Sequence, residues 1–240
     1  MALQPYSLEY NVFLILTIIL IVAKIFLNGY LLNKILKKTK EQGEFKIDFV
    51  FTIFLIVLGL LISRVIYFYY DFFLTFFNPD LLYIYPNVVF WKVATLIAGI
   101  SQLVAVFFID KILLKFKLKG IPAYILLIGR LIQFFYPINS AGDFRVASTI
   151  GTILMLIMII LPIIFIYIGI KMPQLRYYSI LLAVGIIIYF IGSMIVSESI
   201  VAAFQGIFGA GARIFISFTS ITLKIGGLVM MIYSSTKIYI

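Results

Sequence analysis

The sequence predicts an all-α integral membrane protein with seven transmembrane helices, its N-terminus outside and its C-terminus in the cytoplasm. Composition, the length of the apolar segments and the placement of basic residues support this prediction. Of the 240 residues, 64% are hydrophobic and 12% are charged, whereas a soluble domain has about 25% charged residues. So few charges cannot cover a soluble surface, so we expect most of the chain to lie in lipid.

Seven apolar segments approach the length of about 20 residues that a helix needs to cross a membrane. They are 11–33, 48–73, 90–110, 121–138, 146–170, 178–199 and 213–235. We expect them to form one transmembrane domain over 1–240. The apolar stretch 200–212 is too short to cross alone, and we expect a glycine-rich loop there rather than an interfacial or re-entrant segment. Pro162 should kink the fifth helix.

Basic residues alternate between the two sides of these segments. The connections after segments 1, 3 and 5, together with the C-terminus, hold twelve Lys and Arg, whereas the other side has only Lys92, Arg145 and Arg213. The positive-inside rule assigns the twelve to the cytoplasm. We therefore expect a multi-pass protein of the cell membrane, whose basic loops face anionic lipid headgroups or an acidic partner. Nucleic acid is not an expected partner.

The residue types exclude most catalytic sites. The chain has no His and no Cys, which removes imidazole and thiolate metal ligands, cysteine nucleophiles and histidine-dependent triads. Its nine acidic residues are scattered rather than clustered, whereas a metal held on phosphate needs grouped carboxylates. We therefore expect neither an enzyme nor a metal site.

Four basic residues remain within the predicted spans after those at the ends of the spans are assigned to the loops, namely Lys24, Arg64, Arg130 and Lys224. Most have small or polar neighbours at helical spacing. These stripes are Thr17, Lys24 and Asn28; Lys92, Thr95, Gly99 and Gln102; Arg130 and Gln133; and Ser217, Ser220, Lys224 and Gly227. Lipid cannot satisfy polar groups, so the stripes should turn toward one another and enclose a cationic interior.

Two interpretations of these cations remain open. They could snorkel to a headgroup region or serve structural hydrogen bonding, with Arg64 meeting Asp71 or Glu198. Alternatively, they line a cavity for an anion such as a carboxylate, a phosphate, a halide or a lipid headgroup. On the second interpretation, the predicted ligand-binding residues are Lys24, Arg64, Arg130, Lys224, Ser217, Ser220, Gln102 and Glu198.

Two short stretches suggest a known family. Seven helices with "ITLKIGG" (221–227) in the last and "YFIGS" (189–193) in the sixth resemble the microbial rhodopsins. That resemblance implies retinal bound to Lys224 as a Schiff base. The chain departs from the family at Ser220, where an acid is usual, in the lack of a carboxylate counterion on the third segment, and in having a single tryptophan, Trp91.

Three functions follow from these observations. The first is a receptor or sensor whose cationic cavity binds a small anionic or lipid-like ligand. The second is a small anion transporter or channel, in which a homo-oligomer could form the pore. The third, implied by the resemblance alone, is a retinal protein that uses Lys224.

Overall fold

The computed structural model describes residues 4–196, 198–208 and 211–238. In these ranges the chain forms nine α-helices joined by short turns and loops. They are α1 (Leu8–Gln42), α2 (Phe49–Tyr69), α3 (Asn87–Ile112), α4 (Ile121–Phe135), α5 (Ala141–Leu156), α6 (Ile160–Lys171), α7 (Arg176–Met194), α8 (Glu198–Phe208) and α9 (Ala212–Ser235). A π-helical turn, Tyr70–Leu74, continues α2.

Within the described ranges, six helical segments are long and apolar enough to cross a membrane, so the chain is a multi-pass membrane protein. They are Leu8–Gln42, Phe49–Leu74, Asn87–Ile112, Ala141–Lys171, Pro173–Met194 and Ala212–Ser235. The remaining predicted span, 121–138, corresponds to the shorter apolar helix α4. This helix ends at Phe135 because Tyr136 is extended, with ψ of 126°, the backbone that a following proline, Pro137, favours.

The prediction of a glycine-rich loop at 200–212 was wrong for most of that stretch, because α8 occupies Glu198–Phe208. Phe204 and Phe208 stack one helical turn apart, with ring centroids 5.9 Å from each other. Such pairs at i and i+4 stabilise a helix. A Cβ added at Gly206 would contact nothing within 4 Å, so this glycine fits the helix without a role in packing.

Pro162 interrupts the helix that it was expected to kink. A 3₁₀ turn at Ile157–Ile159 separates α5 from α6. Proline has no backbone N–H to donate to the carbonyl four residues earlier, and its ring crowds that carbonyl. The carbonyl in question belongs to Met158, inside the turn, so the tighter turn relieves the conflict.

The described residues divide into two compact units, the first containing 28–159 and the second containing 6–27 and 160–238. In the first unit, α2 packs on α3, α3 on α4 and α4 on α5. Small and hydroxyl side chains let α2 approach α3 closely, since Ser63 Oγ donates to the carbonyl of Ala94 at 2.8 Å. The first unit is therefore a sequential stack of helices.

In the second unit, α7 and α9 pack tightly through glycines. A Cβ at Gly185 would lie 2.9 Å from the carbonyl oxygen of Gly227, and a Cβ at Gly227 would lie 2.6 Å from that of Gly185. Seven residues, or about two helical turns, further along each helix, Ser220 Oγ donates to the carbonyl of Gly192 at 2.5 Å. Small residues that bring backbones together are a common basis of helix association in lipid.

Replacing Gly227 with valine should separate this helix pair, because the new side chain would overlap the Gly185 carbonyl. We expect the free energy of unfolding to fall by about 1–3 kcal/mol more than for Gly226→Val. The neighbouring Gly226 is the matched control, since a Cβ there meets nothing within 4 Å. Unfolding in mixed detergent micelles measures both, and equal losses would contradict the close contact.

Candidate functional site

A buried arginine on α4 is the centre of the polar contacts in the first unit. Arg130 is only 7% exposed. Its Nη1 donates to Gln133 Oε1 at 2.7 Å and its Nη2 to Gln102 Oε1 at 2.9 Å. The stem lies against Gly99 of α3, where an added Cβ would be 2.6 Å from Arg130 Cδ. The polar stripes predicted on the third and fourth segments therefore contact each other.

In the part of the chain that the structure describes, no nearby acid balances the charge of Arg130. Both of its hydrogen-bond acceptors are neutral amides, and its Nε has no hydrogen-bond partner among the described residues. Among the residues that the structure describes, no carboxylate oxygen lies within ion-pair distance of the guanidinium. Burying an ion without an opposite charge costs several kcal/mol. Burying this arginine for a purely structural role would therefore carry a high free-energy cost.

The amide of Gln133 is fixed so that its oxygen faces Arg130. Its Nε2 donates to the backbone carbonyl of Ala147 on α5 at 2.9 Å, which leaves Oε1 as the acceptor for the guanidinium. Gly151 makes room for this amide, since a Cβ there would lie 2.5 Å from Gln133 Nε2. Three helices, α3, α4 and α5, thus hold the guanidinium in one position.

A second cation lies near the start of α3, beside the end of α4. Lys92 Nζ donates to the carbonyl of Tyr136 at 2.7 Å, just past the end of α4. Beside it, Thr95 Oγ1 donates to the carbonyl of Trp91 at 2.8 Å. Because a hydroxyl has one proton, Thr95 must accept the bond that joins it to Tyr67 Oη at 2.6 Å.

These groups line a narrow crevice in the first unit. The lining residues are Trp91, Lys92, Thr95, Leu96, Arg130, Gln133 and Phe134. The crevice has about 150 Å³ of unfilled space, which includes open solvent at its mouth, and its interior is too narrow for a water molecule. The polar interior is therefore closely packed in this conformation. An anion could reach Arg130 only if a side chain at the entrance, such as the partly exposed Lys92, moved aside.

The other predicted site residues lie in different surroundings. Arg64 forms an ion pair with Asp71 in the first unit, with 3.6 Å between Nη1 and Oδ2, which is one of the two partners expected for it. In the second unit, Lys24 is 3% exposed, Ser220 bonds to Gly192, and Ser217 and Lys224 are partly buried. The side chain of Glu198 lies outside the described part of the structure.

Sequence reasoning missed the aromatic members of the site. The predicted ligand-binding residues include neither Trp91 nor Tyr67. However, Trp91 is 8% exposed and packs on Phe144, with 4.8 Å between ring centroids. One signal was available, because Trp91 and Thr95 are four residues apart and Thr95 belongs to the polar stripe of α3. Phe134 has the same signal, because it lies four residues after Arg130 in the polar stripe of α4.

Neither a metal-ligand cluster among the described residues nor a match to a known protein identifies the function of this site. Among the described residues, no group of three Asp, Glu, His or Cys side chains is placed to hold a metal ion. Comparisons with protein-family profiles, curated proteins and solved structures found no match.

Gln133→Leu should destabilise the protein, because it removes an acceptor from a buried cation and a donor from the Ala147 carbonyl. We expect a loss of about 2–4 kcal/mol in the free energy of unfolding. The double variant with Arg130→Met should lose less than the sum of the single changes, because no unpaired charge then remains. A double-mutant cycle in mixed micelles measures this coupling, and additive losses would contradict the contact.

Proposed function

We propose that the chain is a multi-pass membrane receptor or sensor that binds an anionic group in the crevice between α3 and α4. The anionic group would be a phosphate or carboxylate of a small ligand or a lipid headgroup. One observation carries the proposal: Arg130 is a buried guanidinium whose acceptors are neutral and whose Nε has no partner within 4–196, 198–208 and 211–238. An anion would supply the missing charge.

The chemistry of the lining residues suits such a ligand. A guanidinium presents its N–H groups in a planar fork that matches two oxygens of a carboxylate or phosphate. Lys92 would add a second cation by exchanging its bond to the Tyr136 carbonyl for one to the ligand. Trp91 and Phe134 would provide apolar walls beside the charged groups. Charge-assisted bonds within low-polarity walls give the strongest recognition.

The packing between α3 and α4 beyond Gln102, on the side away from Lys92, supports a receptor rather than a transporter. The stripe of α3 continues as Val106 and Ile109, and the stripe of α4 runs back through Leu126 to Ala123. All four side chains are at most 4% exposed. The α3–α4 interface in the first unit is therefore filled by apolar atoms beyond the polar site, which favours a closed binding site over a path for ions.

Contacts at both ends of α4 support a seventh crossing, with the orientation that the basic residues predict. Near its start, Gly120 N donates to Asp110 at the end of α3. Past its end, the Tyr136 carbonyl accepts from Lys92 near the start of α3. The 18 residues between Lys92 and Asp110 span about 27 Å of helix, close to the thickness of a bilayer's hydrocarbon core. α4 would thus run antiparallel to α3 across the membrane.

Anion binding should change the fluorescence of Trp91, because this residue lines the crevice and is the only tryptophan in the chain. We expect a saturable change when the detergent-purified protein is titrated at constant ionic strength with inorganic phosphate or with dihexanoyl phosphatidic acid. The two titrations distinguish a soluble anion from a lipid headgroup, and dihexanoyl phosphatidylcholine is the zwitterionic control.

Lys92→Gln and Arg130→Gln should each weaken this response at least tenfold, since each removes a cation from the site. Arg145→Gln removes the same charge from an exposed position on α5 and should leave the titration unchanged. An unaltered titration in Lys92→Gln, whose side chain is partly exposed, would rule out this site.

Single cysteines test the seventh crossing, because the chain has none of its own. We expect Lys117→Cys, between α3 and α4, and Asn139→Cys, between α4 and α5, to react with an impermeant maleimide from opposite sides of the membrane. Lys117 should be cytoplasmic. Lys40→Cys and Asp80→Cys are the inside and outside references. Labelling of Lys117→Cys and Asn139→Cys from one side would show that α4 does not cross.

A further inference from the structure

The loop between α3 and α4, residues 113–120, has an unusual sequence and backbone, and we call it the basic loop. Its sequence LLKFKLKG alternates lysine with apolar residues, and Lys115, Lys117 and Lys119 are exposed. Lys115, Phe116 and Lys119 have positive φ angles of 51°, 60° and 52°. This backbone region disfavours residues other than glycine, so some interaction must hold the loop in place.

Asp110, in the last turn of α3, provides that interaction. Its side chain is almost fully buried, with Asp110 only 1% exposed. Oδ1 accepts from the backbone N of Leu118 at 3.0 Å, and Oδ2 accepts from that of Gly120 at 2.7 Å. The Asp110 carbonyl also accepts from Phe116 N at 2.9 Å. One carboxylate thus ties the basic loop to the end of α3.

This arrangement keeps the basic loop next to the membrane. Both of its ends continue into apolar helices, and the bonds from Asp110 prevent it from extending away from them. Phe116 is 43% exposed, and its ring meets the edge of Phe107 with 5.7 Å between centroids. Lysines with long apolar stems and partly exposed aromatic rings are typical of the headgroup region.

The lysines of the basic loop also differ from those near the end of α1. There, Lys37, Lys38 and Lys46 form ion pairs with Glu41, Asp48 and Glu44, respectively. In the part of the chain that the structure describes, no acidic side chain lies within ion-pair distance of Lys115, Lys117 or Lys119. All three lysines of the basic loop thus remain available to an external anion, whereas three of those near the end of α1 are paired.

We propose that the basic loop is a docking site for anionic phospholipid headgroups, and that Asp110 organises it. The lipid phosphates would lie among Lys115, Lys117 and Lys119, with Phe116 inserted between headgroups. A lipid fits better than an acidic protein because the basic loop is held at the helix ends and presents apolar side chains between its charges. This site is separate from the crevice at Arg130 and does not depend on it.

Lipid retention tests the proposal. The full chain is purified in micelles that contain equal parts of phosphatidylglycerol and phosphatidylcholine, and the bound lipids are quantified by mass spectrometry. A cation near an anionic surface contributes about a fivefold factor in affinity. We therefore expect the triple variant Lys115→Gln, Lys117→Gln and Lys119→Gln to lower the enrichment of phosphatidylglycerol at least tenfold.

The matched control removes three exposed lysines from α1, as Lys34→Gln, Lys37→Gln and Lys40→Gln, and should lower the enrichment less than twofold. Equal effects of the two triple variants would overturn the proposal, because they would show attraction by net charge alone. Unchanged enrichment in the basic-loop variant would also overturn it and would favour an acidic protein as the partner of this loop.

Asp110→Asn separates an organised site from diffuse attraction. The variant makes the chain more positive, so diffuse attraction would increase phosphatidylglycerol enrichment. An organised site predicts a decrease, because an amide cannot accept from both Leu118 N and Gly120 N as the carboxylate does. An increase in enrichment would contradict the role of Asp110. The triple variants, which change only exposed side chains, test the lipid site even if Asp110→Asn fails to fold.

Discussion

The bonds from the Arg130 guanidinium to two glutamine amides organise the polar contacts of the first unit. No water is present in the hydrocarbon region, so each polar group there needs a protein partner. Gln133 can face Arg130 only because its other end is fixed by the Ala147 carbonyl. Gln102 joins the same charge to α3. Three helices are thereby positioned around a single cation, for which the described residues supply no opposite charge within ion-pair distance.

Glycines serve different purposes in the two units. In the first, Gly99 and Gly151 make space for the polar side chains of Arg130 and Gln133. In the second, Gly185, Gly192 and Gly227 bring the backbones of α7 and α9 together. Gly192 and Gly227 also belong to the stretches that resemble microbial rhodopsins. Close helix packing is thus a sufficient physical reason for glycine at these two positions, whether or not a chromophore binds Lys224.

The sequence was informative wherever lipid imposes a simple requirement. Segment length and apolarity predicted the six long helices, and helical spacing identified the stripes of Gln102 and Arg130 that contact each other.

The sequence was less informative where an outcome depends on particular neighbours. The carboxylate of Asp110 was not singled out because its partners are backbone N–H groups, which leave no pattern in a sequence. The end of α4 at Phe135 depends on Pro137. In α8, the other residues favour a helix, and the helix therefore forms despite Gly206. The close packing of the crevice depends on side-chain conformations that no sequence pattern specifies.

The shortness of α4 has a consequence for the surrounding lipid. Fifteen residues make about 22 Å of helix, roughly 8 Å less than the hydrocarbon core of a typical bilayer. If α4 crosses the membrane, the lipid beside it must be compressed or its flanking residues must reach further outward, at a cost of fractions of a kcal/mol per Å of mismatch. The exposed apolar side chains of α4, which include Ile125, Ile128 and Ile132, would then be surrounded by a locally thinner bilayer. Acyl-chain length would thus become a variable to which this face of the protein responds.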